Sequence, residues 1–489
     1  MTATGETLFP TIYGGEQEAS LRHLHMPGKD GAFKVEDIDR AITGHQRNPK
    51  HGIVTWGMSY PGKIDSTGGA LSRDSHRLEL GSPEYRTIEE LAARTEDNER
   101  RLGEIAADHV TDHARCTGVG LDLRAVDSVG NTAGPQYSFG YPEVDSMMTH
   151  GRTIMPFMGN YFVTRALITG AGLVRPGGLY YSQKFTAQRW TTFGQGFPTN
   201  LLSLKDEEGG LRIESRNPDF NLCSAALKME IGGTAIALAV AQSPHVTEYH
   251  QKMLGEDAPY DFMNRVSALN HMHFDEDGNL TLLPLQREAL KFQMSIDETF
   301  LTELVRYEPS PELVAIAEKR LAFCEDMLNV GADEKLQALA GRADWAAKMF
   351  IVRRHIKRDQ AEGQPRTMND LQAQKDDMAY SAIQVKRTPD GPKIMRAGYA
   401  FKLRDRGQFE DPVPTGMVDA ARQPPRDTRA FVRSGLLRKY VVSDVRWGRV
   451  MLPQKDGSTA AIHLDVLDTA VPDDYQRVVD NAWPRRGVR

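Results

Sequence analysis

Three segments of the chain place acidic side chains at the alternating spacing that puts them on one face of a β-strand. The first holds Glu16 and Glu18. The second holds Glu79, with Glu84 just beyond a Gly-Ser-Pro turn, and the third holds Glu214. Carboxylates on one face repel each other unless a cation lies between them, and Mg²⁺ or Mn²⁺ prefers oxygen ligands. The pattern predicts a metal site, although each segment alone is also typical of a solvated strand face.

Arginines alternate with the carboxylates in the second and third segments. Arg77 shares a strand face with Glu79, while Arg212 and Arg216 flank Glu214. A guanidinium binds phosphate or carboxylate oxygens in bidentate geometry, so its place beside carboxylates suits a site for phosphate and metal together. Because the sequence has no Walker A motif and no GxGxxG motif after a strand, ATP would have to be held differently. Together the segments predict a concave, carboxylate-lined sheet that holds divalent ions and ATP; an exposed salt-bridged face is the alternative.

The apolar periodicity predicts mostly strands in the first half of the chain and helices in the second. The elements that would position the candidate residues are strands at 9–20, 77–80, 178–182 and 211–216 and helices at 88–110, 311–330 and 343–358. Strands followed by helices, without alternating βα units, indicate the α+β class. The expected fold is a large domain with a curved, mainly antiparallel sheet packed by helices, plus a small C-terminal α/β domain.

We place the domain boundary near residue 415, before a Gln-Pro-Pro segment that ends a region predicted to be loops. Residues 1–415 would form the catalytic domain. Residues 416–489 would form the small domain and contribute to the nucleotide site. Within the small domain the sequence predicts a helix at 427–440 and strands at 445–452 and 459–466.

Composition narrows the class of protein. The 60 basic and 66 acidic residues give a net charge of −6, which argues against a protein that coats nucleic acid. Cys116, Cys223 and Cys324 lie far apart and form no CxxC pair, so reduced thiols in the cytoplasm are expected. The apolar run 231–240 is too short to span a membrane and predicts a buried helix. The N-terminal residues lack the pattern of a signal peptide, so we expect a cytoplasmic protein with no membrane or nucleic-acid partner.

Several motifs resemble those of one enzyme superfamily. The third segment, with Pro218, Asp219 and Asn221 after it, resembles the substrate and metal motif of glutamine synthetases. Other motifs resemble a second branch of that superfamily, the Pup ligases and the related Pup deamidase-depupylases. They are Ile12-x-Gly14-x-Glu16-x-Glu18, Arg77-Leu78-x-Leu80, Pro83-Glu84-Tyr85-x-Thr87, Asp344-Trp345-x-x-Lys348 and Pro424-Pro425-x-x-Thr428-Arg429-Ala430-x-x-Arg433. The resemblance implies a glutamine synthetase-like fold for the large domain.

The resemblance also implies a cofactor set and roles for residues. The cofactors would be ATP and two or more Mg²⁺ ions, with Mn²⁺ as a substitute. The implied metal ligands are Glu16, Glu18, Glu84 and Glu214. The residues implied to contact phosphate, carboxylate or adenine are Arg77, Thr87, Arg212, Arg216 and Trp447.

The second motif departs from the branch at the catalytic base. The branch has Arg-Leu-Tyr-Leu-Asp, with the Asp as base, whereas here Glu79 stands for the Tyr and Gly81 for the Asp. An alignment anchored on Pro83-Glu84-Tyr85 instead puts Glu79 on the Asp. We therefore predict Glu79 as the catalytic base.

The activity implied is that of an ATP-dependent carboxylate–amine ligase. A carboxylate, such as a glutamate side chain, would attack the γ-phosphate to give an acyl phosphate, and an amine would then displace phosphate. The acid would be a Pup-like protein or a small amino acid or peptide, and the protein a monomer or small oligomer. The alternatives are a small-molecule ligase, an amide hydrolase like the depupylases, and an inactive paralogue.

Overall fold

A computed structural model describes most of the chain. The residues it describes are 8–24, 31–47, 56–57, 62–65, 67–74, 77–113, 115–123, 134–141, 154, 157–175, 178–180, 202–207, 210–215, 219–243, 265–266, 271–274, 280–329, 333–364, 366–367, 370–396, 398–464 and 475–485. All structural statements below concern these residues.

The strands fall into three sheets. In chain order they are β1 (Ile12–His23), β2 (Gly31–Ala32), β3 (Trp56–Gly57), β4 (Gly62–Ile64), β5 (Ala70–Asp74), β6 (Arg77–Gly81), β7 (Gly118–Asp122), β8 (Gln136–Tyr141), β9 (Leu173–Arg175), β10 (Gly178–Tyr180), β11 (Leu202–Glu207), β12 (Gly210–Ser215), β13 (His271–Phe274), β14 (Leu280–Thr281), β15 (Ile383–Thr388), β16 (Gly391–Met395), β17 (Asp444–Arg446), β18 (Arg449–Pro453) and β19 (Thr459–His463).

Most of the helices follow β12 in the described part of the chain. In chain order the helices are α1 (Val35–Arg47), α2 (Ile88–Asp112), α3 (Ser224–Gln242), α4 (Pro284–Thr299), α5 (Pro311–Leu328), α6 (Asp333–Ala340), α7 (Asp344–Ala361), α8 (Leu371–Tyr380), α9 (Tyr399–Asp405), α10 (Thr415–Ala420), α11 (Arg429–Lys439) and α12 (Tyr475–Asn481). A short π-helix, Phe300–Leu304, continues α4. Residues 157–165 are also helical.

The main sheet is antiparallel, with the order β11-β12-β8-β1-β6-β5-β4-β3. The first half of β1 pairs with β8 and β6, and its second half pairs with β7, which leads on to β15 and β16. The long central strand therefore joins two arms of the sheet. The α+β class and the mainly antiparallel sheet predicted from the sequence are confirmed.

Helix α2 covers the face of the sheet opposite the predicted carboxylates. A Cβ at Gly15 would lie 3.4 Å from the Leu91 side chain, so the odd-numbered side of β1 faces this helix. The helix begins at a capping box, in which Thr87 Oγ1 accepts a hydrogen bond from the Glu90 amide and the Glu90 carboxylate accepts one from the Thr87 amide. Helix α2 thus covers one face of the sheet and leaves the face that carries the predicted carboxylates open to ligands.

Helix α3 is the core of the helical layer. All 18 residues from Ser224 to Ala241 are buried, which confirms the buried helix predicted for the apolar run 231–240. By length and hydropathy α3 would also pass as a membrane span, but all of its apolar window is buried inside the protein. It packs with α4 and α5 in the largest apolar cluster, together with the first turns of α2.

A separate apolar cluster lies in the C-terminal part of the chain. It joins α11, β17–β19 and α12 through residues such as Leu437, Val450 and Ile462. Val418 of α10 packs instead with the largest cluster. The boundary near residue 415 stays a prediction, but the small C-terminal core described here draws on residues after α10, with Ile64 as its contribution from β4.

Two local predictions were wrong. The strand predicted at 445–452 is a hairpin, because Trp447 and Gly448 form a two-residue turn between β17 and β18. The region 360–425, predicted as loops, contains α8, a β15–β16 hairpin, α9 and α10. The short length of these elements gave too few apolar periods to reveal them.

Candidate functional site

The register of the main sheet brings the predicted carboxylates onto one face. Glu18 of β1 lies opposite Glu79 of β6. Glu214 of β12 lies opposite Ser138 of β8. Ser138 in turn lies opposite Gly14 of β1, which is two residues before Glu16. Directly opposed residues of an antiparallel ladder project to the same face. Three strands distant in sequence therefore present Glu16, Glu18, Glu79 and Glu214 to one side of the sheet.

A tight group of carboxylates forms at the β1–β6–β5 end of this face. Carboxylate oxygens of Glu18, Asp74 and Glu79 lie within 4.8 Å of one another. Ser72 Oγ donates to Glu79 at 2.5 Å, and the Gly134 amide donates to Glu18 at 3.2 Å. These are oxygen donors at the spacing a hard divalent cation needs, so the residues fit the implied metal. The adjacent Glu16 extends the same row of ligands along β1.

The protonation of Glu79 reflects this crowding. Burial, the charge of Glu16, and the charges of Glu18 and Asp74 together outweigh the hydrogen bond from Ser72 and raise the pKa of Glu79 to about 8. Repulsion between carboxylates of this kind is relieved by a bound cation, which favours the ionised form. The carboxyl group is therefore suited to gain and lose a proton near neutral pH.

A cavity lies beside this row, between the sheet and the C-terminal part of the chain. Its walls include Glu16, Glu84, Arg212 and Trp447, which the sequence assigned to one site from four separate segments. Arg429 of α11 also lines it. The cavity gathers charged groups that bind metal or phosphate around one aromatic ring, the composition expected of a nucleotide site.

Glu84 is held by two guanidinium groups of α11. Arg429 Nε donates to Glu84 Oε1 at 2.6 Å, and Arg433 Nη2 donates to Oε2 at 2.9 Å. Burial alone would raise the pKa of Glu84, but Arg433 and Arg429 overcome it and lower the pKa to about 2. The resemblance implies that Glu84 is a metal ligand; in this structure it is the ionised anchor of two arginines.

Trp447 lines the cavity and lies in the turn between β17 and β18. The Arg433 guanidinium stacks over its ring at 4.9 Å and donates to its carbonyl oxygen at 2.6 Å. The ring also approaches Gly81, where an added Cβ would lie 3.5 Å from it. The space that the Asp of the family motif would enter is thus bordered by the tryptophan.

The remaining predicted residues differ in their placement. Arg212 lines the cavity and forms an ion pair of 3.5 Å with Glu214. Arg77 is buried on β6, two residues from Glu79 and on the same face. Thr87 caps α2 and lines a different cleft, so the structure does not bring it to the cavity. Arg216 lies outside the described residues.

The sequence interpretation missed two parts of the site. Asp74 was not singled out, because its place beside Glu79 follows from the β5–β6 pairing, in which Asp74 lies opposite Arg77. Its acidic side chain next to the second motif was the available signal. Arg429 and Arg433 stood in a recognised motif but received no role, since their partner Glu84 lies 345 residues or more before them.

Comparison with known protein families decides the class. A family model described as Pup-ligase protein matches residues 206–451, which is half of the chain. The chain belongs to the Pup-ligase family. This family is the one that the sequence motifs resemble, and the ATP-dependent ligase predicted from the sequence is confirmed.

Curated relatives of the family are distant in sequence. A Pup–protein ligase of Acidimicrobium ferrooxidans is 23% identical over 403 residues, which are 79% of this chain and 81% of the relative. A depupylase of Acidothermus cellulolyticus is 25% identical over 335 residues, which are 62% of this chain and 58% of the relative. Both branches of the Pup enzymes are thus similar to this chain.

Solved structures of the Pup ligase PafA share the fold. The complex of PafA with Pup aligns with a TM-score of 0.71 at 18% identity, over 97% of this chain and 92% of that one. PafA in complex with ADP aligns with a TM-score of 0.62 at 17% identity, over 92% and 93% of the two chains. The overall fold of the Pup-ligase family is therefore retained along nearly the whole chain.

Proposed function

We propose that this protein uses ATP and divalent metal ions to activate a carboxylate as an acyl phosphate and to join it to an amine. The observation that carries the proposal is the convergence of Glu16, Glu18, Glu79 and Glu214 on one sheet face, beside a cavity bordered by Trp447. The similarity to PafA in complex with ADP supports ATP as the nucleotide.

Glu16, Glu18 and Glu214, with Asp74, are the residues that would hold Mg²⁺ or Mn²⁺. Bound there, the metal would neutralise phosphate charge during phosphoryl transfer. Arg212 would add positive charge at the cavity wall. Trp447 would stack on the adenine ring, and Arg433 would keep the indole in position through its stacking contact.

Glu79 would deprotonate the attacking ammonium. Its raised pKa makes it a stronger base than an ordinary carboxylate, and it lies beside the carboxylates that would hold the metal. A proton passes from the ammonium to the Glu79 carboxylate. The amine lone pair then forms the C–N bond as the C–O bond to phosphate breaks.

The acid that we propose is a glutamate side chain of a Pup-like protein, which would be joined to an amine acceptor. Relatives named Pup–protein ligase and the PafA complex with Pup support a protein substrate. The three cysteines are buried free thiols, which agrees with the cytoplasmic location that we propose. The depupylase among the relatives makes amide hydrolysis the second candidate, with the same residues binding the amide.

Trapping with hydroxylamine tests the proposal. Incubation of the protein with ATP, Mg²⁺, hydroxylamine and a Pup-like protein or a series of small acids should give ADP and the hydroxamate of the true acid. A double variant, Glu16→Ala with Glu214→Ala, should form neither product. Release of Pup from a conjugate without ADP formation would select the hydrolase, and ATP turnover unaffected by the double variant would refute the proposed site.

A further inference from the structure

The turn that follows β4 lies where the C-terminal helix α11 meets the catalytic sheet. The Gly68 carbonyl oxygen accepts a hydrogen bond of 2.6 Å from Arg433 Nη2. The same guanidinium donates to Glu84 and to the carbonyl oxygen of Trp447. One arginine therefore connects the turn, the anchoring carboxylate and the tryptophan of the cavity.

A buried cluster of charges holds the turn. Asp65 is fully buried and forms an ion pair with Arg101 of α2. The amide and the hydroxyl of Thr67 donate to Asp65 at 2.8 and 2.5 Å, and Arg94 Nη2 donates to Thr67 Oγ1 at 2.9 Å. Breaking a buried pair by removing one partner leaves an uncompensated charge, so these contacts hold Asp65 and Thr67 firmly against α2.

The contact between the turn and α11 leaves no space for a side chain. Gly68 has a left-handed φ of +80°, and a Cβ there would lie 2.9 Å from the Ala430 Cβ and 3.1 Å from the Ala430 carbonyl oxygen. The next residue, Gly69, is equally confined, since its Cβ would lie 2.5 Å from the Gly81 carbonyl oxygen. The turn thus touches both α11 and the strand that carries Glu79.

We propose that this turn is a positioning element of the nucleotide site. Held by Asp65 and the arginines of α2, it sets the position of Arg433 and through it the positions of Trp447 and Glu84. ATP affinity then depends on Gly68, although no side chain at that position touches the ligand. The expected effect on ATP affinity rests on the proposed function, whereas the docking of α11 on the turn does not depend on it.

Two glycine variants with the same backbone cost test the proposal. Gly68→Ala and Gly363→Ala both place a side chain at a left-handed φ, of +80° and +81°, but nothing lies within 4 Å of a Cβ at Gly363. A displacement of catalytic groups by about 1 Å is enough to change a kinetic constant severalfold or more. We therefore expect Gly68→Ala to raise the KM for ATP about tenfold at a kcat close to the wild-type value, and Gly363→Ala to change neither.

Hydrogen exchange of residues 429–447 separates the failure of this inference from that of the proposed function. Gly68→Ala should increase exchange there relative to Gly363→Ala, and Thr67→Val, which loosens the turn without a clash, should do so to a smaller extent. Equal exchange in all three variants, or an equal KM for ATP in Gly68→Ala and Gly363→Ala, overturns the positioning role. Wild-type protein that forms no ADP, with the exchange differences present, overturns the proposed function alone.

Discussion

At the scale of single residues, two alignments with the family motif place the catalytic base either at Gly81 or at Glu79. Glu79 precedes Gly81 by two residues on β6, so it projects from the same face about 7 Å away. The Trp447 ring borders the position of Gly81. Glu79 and position 81 therefore face the same side of the sheet but lie at different distances along β6. The role of Glu79 as the base can be tested directly by substitution.

Glu79→Gln should separate the two halves of the reaction. Hydroxylamine is neutral at neutral pH and attacks an acyl phosphate without a base, so hydroxamate formation should survive. Amide formation with an amine should fall by at least about 100-fold, the contribution typical of a general base. The comparison of the two products in one assay is the measurement. Equal loss of both would show that Glu79 acts in binding or activation of the acid and is not the base.

The pH dependence of metal binding should follow the carboxylate cluster. Glu79 has its pKa raised to about 8, so its ionised form is favoured only as the pH rises through that value. An ionised Glu79 lies beside the ligands Glu18 and Asp74, so its negative charge strengthens the attraction of the cluster for a cation. Mg²⁺ without nucleotide should therefore raise the melting temperature more at about pH 8 than at about pH 6. The difference should shrink in Glu79→Gln, and a Mg²⁺ effect independent of pH would contradict the assignment of this cluster to metal.

At the scale of secondary-structure elements, Thr87 is placed as a helix cap. Its hydroxyl accepts the Glu90 amide, and the capping box begins α2, which supports the back of the sheet. Thr87→Ala should lower the free energy of unfolding by about 1 kcal/mol, and Thr87→Ser should keep most of it. Chemical denaturation and the KM for ATP are the measurements. A large rise in the KM for ATP in Thr87→Ala would instead support the contact between Thr87 and ATP that the family resemblance implies.

The elements also show which features of the fold and of the site could be predicted from the sequence. The alternation that puts Glu16 and Glu18 on one face of β1 is local, with a period of two residues, so it could be predicted from the sequence. Glu214 shares this face because β12 pairs with β8 and β8 with β1. Neighbouring strands in the sheet are set by long-range pairing. The position of Asp74 beside Glu79 depends on that pairing, and the two arginines on Glu84 depend on contacts between the ends of the chain. Neither contact produces a periodic pattern of residues within one segment of the sequence, so neither could be predicted.

At the scale of the whole molecule, the catalytic sheet and the C-terminal core are connected through Glu84. Its pKa is lowered to about 2 because Arg433 and Arg429 outweigh the effect of burial. A carboxylate with a lowered pKa contributes stability that is present above its unfolded value of about 4.5 and is lost as the pH falls toward 2. The contact between α11 and the sheet is therefore a charge-dependent one.

Acid should loosen this connection before the helical core unfolds. Hydrogen exchange of α11 should rise as the pH falls from about 5 toward 3, with exchange rates corrected for their intrinsic pH dependence. Glu84→Gln should show raised exchange at neutral pH and little further change in acid. Exchange in residues 231–240 of α3 is the internal control, since the side chains of this segment are buried and uncharged. Equal pH profiles for α11 in both proteins would contradict the role of Glu84.

The long sequence separation between Glu84 and its arginines also bears on the synthesis of the protein. Strands β1 and β6 leave the ribosome well before residues 429–447, which supply the arginines that neutralise Glu84 and the indole that lines the cavity. A nascent chain that has folded its sheet still lacks one wall of the cavity. Residues 429–447 must therefore be synthesised before the polypeptide can complete the cavity, and products terminated before residue 429 should form no ADP.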